Sequence, residues 1–126
     1  MSSTLKRRES DGVLLGSISR AVVQIVHEYT GRGPTEARTS ICDDVVVVLL
    51  RHSLLPAERS LIRDDKAQAV VDLRRSFQEM MREDLSEAVA RLTQRDVLAF
   101  MSDTNLGSDC CIDVFVLAPI EAEPER

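Results

Sequence analysis

The amino-acid sequence predicts an α+β fold: a two-layer sandwich in which a four-stranded antiparallel sheet is covered by two long helices. Its 126 residues suffice for one domain, and their 44% apolar fraction suffices for one hydrophobic core. Two long segments carry apolar residues at the three- and four-residue spacings of a helix. Two pairs of short strand-like segments follow one another closely enough to form hairpins. The predicted order of elements is therefore α-β-β-α-α-β-β.

The first half of the chain is predicted to form a helix and a hairpin. Apolar residues recur at helical spacing over residues 11–30, and Gly31, Gly33 and Pro34 then end the helix. Alternating polar and apolar residues predict a strand over 36–41. Residues 45–50 are apolar at every position, which is typical of a strand covered on both faces.

The second half is predicted to contain two helices and a second hairpin. A short helix begins at Pro56, since proline suits the first helical position. A longer helix over residues 66–92 has the strongest periodicity in the chain, with strands over 97–102 and 111–117 after it. The apolar stripe of that helix comprises Val70, Leu73, Phe77, Met80 or Met81, Leu85, Ala88 or Val89, and Leu92.

We expect a single folded domain over residues 11–118. Charged and polar residues predict disordered tails over 1–10 and 119–126. No apolar run approaches the roughly 18 residues that cross a membrane, and the opening segment lacks the features of a signal peptide. Three cysteines without CxxC spacing do not form a disulfide framework. These features favour a cytoplasmic protein with no direct membrane insertion.

Composition argues against several function classes. A net charge of -5 disfavours nucleic-acid binding, and one Tyr, three Phe and no Trp leave few rings on which bases could stack. His27 and His52 lack partners at metal-ligand spacing, so we expect no metal site. No pattern of nucleophile and base is visible, so we expect no catalytic residue, no cofactor and no enzyme activity.

Gly31, Arg32 and Gly33 are the candidate anion-binding residues. The simpler interpretation is a helix stop that turns the chain into the first strand. The functional interpretation is an anion nest, in which exposed backbone N–H groups and Arg32 face a small anion. The sequence leaves open whether Arg32, Arg38, Arg51 and Arg74 converge on one site.

The long predicted helix contains two adjacent arginines, Arg74 and Arg75. Both cannot lie on its apolar face, so at least one is available for an ion pair or a partner. An ion pair is the favoured use.

Several segments, spread over about residues 11–118, together carry a family resemblance. They are Tyr29-Thr-Gly-Arg-Gly-Pro-Thr35, Asp43-Asp44-Val45-Val-Val-Val-Leu49, Leu55-Pro-Ala-Glu58 with Leu61, Val71-Asp-Leu-Arg-Arg-Ser-Phe-Gln78, Leu85, Val89, Leu92-Thr93, Val97, Ser102-Asp103 and Val114-Phe-Val-Leu117. With these segments the chain resembles a small bacterial family, the MpsC domain of a Na+-translocating membrane potential-generating system. A Gly-Arg-Gly-Pro turn combined with Arg-Arg-x-Phe-Gln at this separation is fairly specific. Leu55 and Gln94 depart from the family pattern, which favours Thr and Gly there; both changes concern helix ends.

The resemblance implies a non-catalytic accessory or regulatory subunit associated with a cation-translocating or inorganic-carbon uptake system, and a membrane transport complex as a partner. The alternative is a sensor domain for a small anion, either bicarbonate or a phosphate-like ligand. Independently, the apolar residues 45–50 need cover on both sheet faces, whereas helices cover only one. We therefore expect a homodimer or a larger homo-oligomer.

Overall fold

The computed structural model describes the backbone of residues 2–120 and the side chains of residues 11–120. Its elements follow the predicted order α-β-β-α-α-β-β, which confirms the α+β fold. The elements are α1 (Ser2–Thr30), β1 (Glu36–Cys42), β2 (Val45–Arg51), α2 (Pro56–Arg63), α3 (Ala67–Thr93), β3 (Val97–Asn105) and β4 (Cys110–Leu117).

The four strands form one antiparallel sheet in the order β1-β2-β4-β3. The two most apolar strands, β2 and β4, lie in the centre, and β1 and β3 form the edges. Helix α1 packs on β1, helix α3 packs on β3 and β4, and the two long helices contact each other. The short α2 packs on α3, so the helices form one layer and the sheet forms the other.

The hydrophobic core lies between the helices and one face of the sheet, called here the helix face. Because side chains alternate along a strand, every second residue of β2 points into this core. The core includes Ile18, Val22, Val46, Val48, Leu50, Leu85, Val89, Phe115 and Leu117, each at most 2% exposed.

The helices cover residues 45–50 on one face of the sheet only. Val46, Val48 and Leu50 are buried beneath the helices. Val45, Val47 and Leu49 point to the opposite face and are half-buried. We call that opposite side the open face.

The observed helix α1 begins at Ser2, upstream of the predicted start at residue 11. Residues 3–9 contain neither Gly nor Pro, and their Leu, Lys, Arg and Glu are favourable helix formers. The division into a domain over 11–118 and two disordered tails stays a prediction. Residue 1 and residues 121–126, part of those predicted tails, lie outside the described residues.

The β3–β4 connection is shorter than predicted, because β3 continues to Asn105. The Asn105 side-chain oxygen accepts hydrogen bonds from the backbone N–H of Ser108 (3.1 Å) and from its hydroxyl (3.0 Å). Asp109 then has a positive φ of 50°, which reverses the chain into β4.

The two departures from the family pattern lie at helix ends, as predicted. Leu55 precedes α2 and has no side-chain acceptor, so only Glu58 forms its half of a capping box. Gln94 ends α3 in the left-handed conformation with φ 56°, where glycine is the less strained residue.

Candidate functional site

The segment that joins β2 to α2 is bound by residues from several elements. The backbone N–H groups of Ser53 and Leu54 both donate to Oδ1 of Asp109, at 2.9 and 3.0 Å. Asp109 lies in the β3–β4 loop, and its second carboxylate oxygen faces Arg59 of α2 at 3.4 Å. One carboxylate therefore ties two loops and a helix together.

Arg74 and Glu58 form a buried ion pair beside this segment. The Nε and Nη2 of Arg74 donate to the two oxygens of Glu58, at 2.8 and 2.7 Å. Arg74 also donates to the hydroxyl (3.1 Å) and the carbonyl oxygen (2.8 Å) of Ser53. Glu58 is only 2% exposed, so its charge depends on this bidentate partner. We call these three residues, Ser53, Glu58 and Arg74, the Arg74 network.

The adjacent arginines of α3 have different roles, in line with the expectation from the sequence. Arg74 is half-buried in the ion pair, whereas Arg75 is exposed on the helix surface. Their side chains diverge because neighbouring residues of a helix point about 100° apart.

The candidate anion-binding residues lie at the end of α1, close to the Arg74 network. Gly31 has a φ of 78°, and its N–H donates to the carbonyl of His27 at 2.8 Å, as in a helix C-cap. The N–H of Arg32 faces Thr30 Oγ1 at 3.4 Å, and its guanidinium donates to the carbonyl of Leu54 at 3.2 Å. The geometry therefore favours the helix-stop interpretation.

Gly33 has a packing role in the same turn. A Cβ atom there would lie 3.3 Å from Cγ1 of Val23 and 3.5 Å from its carbonyl oxygen. The missing side chain therefore allows the turn to pass close to α1. Anion binding by Gly31, Arg32 and Gly33 stays a prediction.

The four arginines singled out in the sequence do not converge. Arg32 and Arg74 bind adjacent carbonyls, those of Leu54 and Ser53. Arg38 and Arg51 lie on the open face, across the sheet from the Arg74 network. Arg51 faces Glu36 there, at 3.9 Å.

A small cavity of about 30 Å³ lies between α3 and the sheet, next to the Arg74 network. Such a volume holds about one or two water molecules. Its polar lining includes Ser53, Glu58, Arg74, Gln78, Ser102 and Asp113.

Asp113 is a buried carboxyl group on this cavity, 3% exposed. Burial raises its pKa to about 6, although hydrogen bonds from Ser102 and Cys111 oppose the shift. The Ser102 hydroxyl donates to Oδ1 at 2.6 Å. Asp113 can therefore gain or lose a proton close to neutral pH.

Cys111 shares the cavity but is a poor nucleophile. Burial, with the nearby Asp113 charge, raises the pKa of its thiol to about 11, so the thiol is protonated at neutral pH. Within side chains 11–120, no three His, Cys, Asp or Glu residues are grouped as a metal site would require. The arrangement can hold a proton and a water molecule, and it ties α2, α3 and the sheet together.

A shallow cleft of about 310 Å³ lies outside the cavity and shares Arg74, Gln78 and Ser102 with it. Gln78 donates to the hydroxyl of Thr104 at 3.4 Å. The cleft places the exposed Arg75 beside the polar residues of the sheet edge.

Sequence reasoning did not identify Asp113 or Glu58 as buried. A signal for Asp113 is present, because it falls on the same alternate positions of β4 as Phe115 and Leu117 and so must point into the core. Glu58 carries a weaker signal: it lies three residues after Leu55, the residue before α2, a position from which a carboxylate reaches back to the helix end.

Comparison with known proteins decides the family. The sequence model of the Na+-translocating membrane potential-generating system family (MpsC) matches residues 10–119. The chain belongs to the MpsC family. It is also similar to the uncharacterized protein YbcI of Bacillus subtilis strain 168, with 27% identity over 111 residues, 87% of this chain and 90% of YbcI. No solved structure matches significantly.

The Gly-Arg-Gly-Pro turn and the Arg-Arg-x-Phe-Gln segment, which make the MpsC resemblance specific, lie close together in the fold. Arg32 of the Gly-Arg-Gly-Pro turn and Arg74 of the Arg-Arg-x-Phe-Gln segment bind consecutive residues, Leu54 and Ser53. Glu58 of the Leu-Pro-Ala-Glu segment completes the Arg74 network. In this MpsC-family chain, these segments therefore share a structural role at one end of the sheet.

None of the helices in the described part of the chain is both apolar enough and long enough to cross a lipid bilayer.

Proposed function

We propose that the chain is a non-catalytic accessory or regulatory subunit of a cation-translocating system, acting at the cytoplasmic side of a membrane transport complex. The observation that carries the proposal is the family match, which spans residues 10–119 and names a Na+-translocating membrane potential-generating system. None of the described helices could cross a membrane, and in this proposal a partner provides the translocation path. An inorganic-carbon uptake system is a related partner of the same kind.

The residues of the cavity support a non-catalytic role. Its thiol is protonated at neutral pH. Arg74, on its lining, already binds Glu58 and Ser53, and the cavity volume of about 30 Å³ is too small for an organic substrate.

The alternative function, a small-anion sensor, has less support. The guanidinium of Arg32 donates to Leu54, and the N–H of Gly31 is used in the helix cap. An anion would have to compete with these acceptors within the chain.

The partner can be identified by purification at native expression level. The tagged chain is isolated from membranes solubilised in mild detergent, with a strain expressing the tag alone as the control. We expect an integral membrane cation-transport protein to co-purify in fixed proportion. Recovery of the chain without any membrane protein would contradict the proposal.

We also propose that the chain acts as a homodimer. The half-buried Val45, Val47 and Leu49 on the open face support this, since β2 then obtains cover on both sides.

A further inference from the structure

The open face of the sheet consists of four rows of side chains that run across the strands. Antiparallel partners share a face, so the register assigns each row directly. In the order β1, β2, β4, β3, the rows are Glu36-Arg51-Cys110-Asn105, Arg38-Leu49-Ile112-Asp103, Ser40-Val47-Val114-Met101 and Cys42-Val45-Val116-Ala99.

The middle of the open face is apolar. Ile112 is 39% exposed and Met101 is 54% exposed, and both point away from the core on the helix face. Strands spaced at about 4.8 Å with a rise of about 3.3 Å per residue give the whole face an area on the order of 400 Å², and the apolar residues cover about half of it. The apolar members are Val45, Val47, Leu49, Ala99, Met101, Ile112, Val114 and Val116.

Two opposite charges lie at the two ends of one row. Arg38 lies on the β1 edge and Asp103 lies on the β3 edge, with Leu49 and Ile112 between them. Among side chains 11–120, neither takes part in an ion pair. In the neighbouring row, by contrast, Glu36 and Arg51 pair with each other.

We propose that the open face binds a second copy of this chain, related by a two-fold axis parallel to the strands between β2 and β4. This rotation exchanges the β1 and β3 edges while it keeps each row in place. Arg38 of each copy then faces Asp103 of the other, so the dimer contains this ion pair twice. Leu49 faces Ile112 of the second copy, and Val47 faces Val114.

The charges select this orientation over the other face-to-face dimer. A two-fold axis perpendicular to the strands places β1 on β1 and β3 on β3. The two Arg38 side chains then share one edge, and the two Asp103 side chains share the other. Packed sheets lie about 10 Å apart, a distance that an Arg and an Asp side chain can bridge together.

This inference rests on the homodimer proposed above and is independent of the membrane partner. The test is the molar mass of the full chain by light scattering over a range of concentrations. One chain has a mass of 14.0 kDa, so we expect about 28 kDa for the wild type, twice that value. Arg38→Asp and Asp103→Arg should each weaken dimerisation by on the order of tenfold or more, because each makes both symmetric contacts repulsive.

Mixing the two variants tests the contact between copies. A heterodimer of Arg38→Asp with Asp103→Arg again has two attractive contacts: the two substituted positions pair with reversed charges, and the native Asp103 of one copy pairs with the native Arg38 of the other. The mixture should therefore again give about 28 kDa. Arg91→Asp, an equal charge reversal at an exposed position near the end of α3, serves as the control and should remain dimeric. Val47→Glu, at the centre of the open face, should be monomeric alone and in either mixture.

Three outcomes would overturn the proposal: a wild type that stays at 14.0 kDa at the highest concentration, single variants as dimeric as the wild type, or a mixture that stays monomeric. Circular dichroism of every variant checks that its fold is intact. A failed dimer test leaves the role in a membrane system standing, since co-purification with a cation-transport protein tests that role separately.

Discussion

Replacing Arg74 with methionine should destabilise the domain strongly, because it breaks the ion pair with the buried Glu58. Methionine keeps an apolar stem like that of arginine, but it is shorter and lacks the guanidinium. Glu58, 2% exposed, then loses both charge-assisted hydrogen bonds while it stays buried. The Ser53 hydroxyl and carbonyl lose their partners as well.

The expected cost follows from the burial of the ion pair. Removing one member of a buried pair costs about 3–5 kcal/mol, because an uncompensated charge remains. Domains of this size have about 5–15 kcal/mol of stability, so the loss is a large fraction of the total. Arg74→Lys keeps the charge but loses the bidentate geometry, so its cost should be smaller. Arg75→Met removes an exposed side chain and should cost less than about 0.5 kcal/mol.

The assay is equilibrium unfolding in urea, followed by circular dichroism and analysed by linear extrapolation. Urea is chosen because it is uncharged and does not screen the ion pair. The double variant Glu58→Gln with Arg74→Met removes both charges, so it should be more stable than the sum of the single losses predicts. Equal free energies of unfolding for Arg74→Met and Arg75→Met would refute the reasoning.

Three further predictions concern single side chains. Burial raises the pKa of Asp113 to about 6, above its ordinary value of 3.8, so ionisation destabilises the folded state as pH rises from about 4 through 6. The stability of Asp113→Asn relative to the wild type should therefore increase by up to about 3 kcal/mol from pH 4 to pH 7. If the two free energies of unfolding in urea differ by the same amount at every pH in that range, the prediction is wrong. Leu85→Ala should cost about 2–5 kcal/mol because Leu85 is 1% exposed, whereas Leu73→Ala, 39% exposed, should cost clearly less; equal melting temperatures of the two variants would mean that the buried side of α3 is misassigned. Arg32→Ala should lower the stability by about 1 kcal/mol, because its hydrogen bond to the Leu54 carbonyl is lost. The shift in melting temperature that bicarbonate or phosphate causes, measured against chloride at equal ionic strength, should be the same in this variant as in the wild type. A shift that is lost only in the variant would instead favour the anion sensor.

Most of the fold was predictable because it depends on local patterns. The apolar residues 45–50 and the periodic residues 66–92 have the spacing of a central strand and a core helix, whatever their partners are. The ends of elements were less predictable. The β3 strand extends beyond residue 102 because the Asn105 side chain closes a tighter turn than the polar composition of residues 103–109 indicated.

The buried polar residues were harder to predict from the sequence. An ion pair between residues 58 and 74 depends on how α2 packs against α3, which no local pattern specifies. The Gly31–Gly33 turn was identified, but its competing interpretations differ only in where the N–H groups and the Arg32 side chain point. That orientation is a property of tertiary structure. The strand order was likewise open, and it is the order β1-β2-β4-β3 that brings Arg38 and Asp103 to opposite edges.

The proposed role in cation translocation is best tested by measuring the Na+-dependent membrane potential in cells that lack the gene for this chain. A potential-sensitive dye records the response to added Na+, and K+ at equal ionic strength serves as the control. We predict that the Na+-dependent part of the potential is lost without the chain and restored by the wild-type gene. A Na+-dependent potential of the same size with and without the chain would contradict the proposed function.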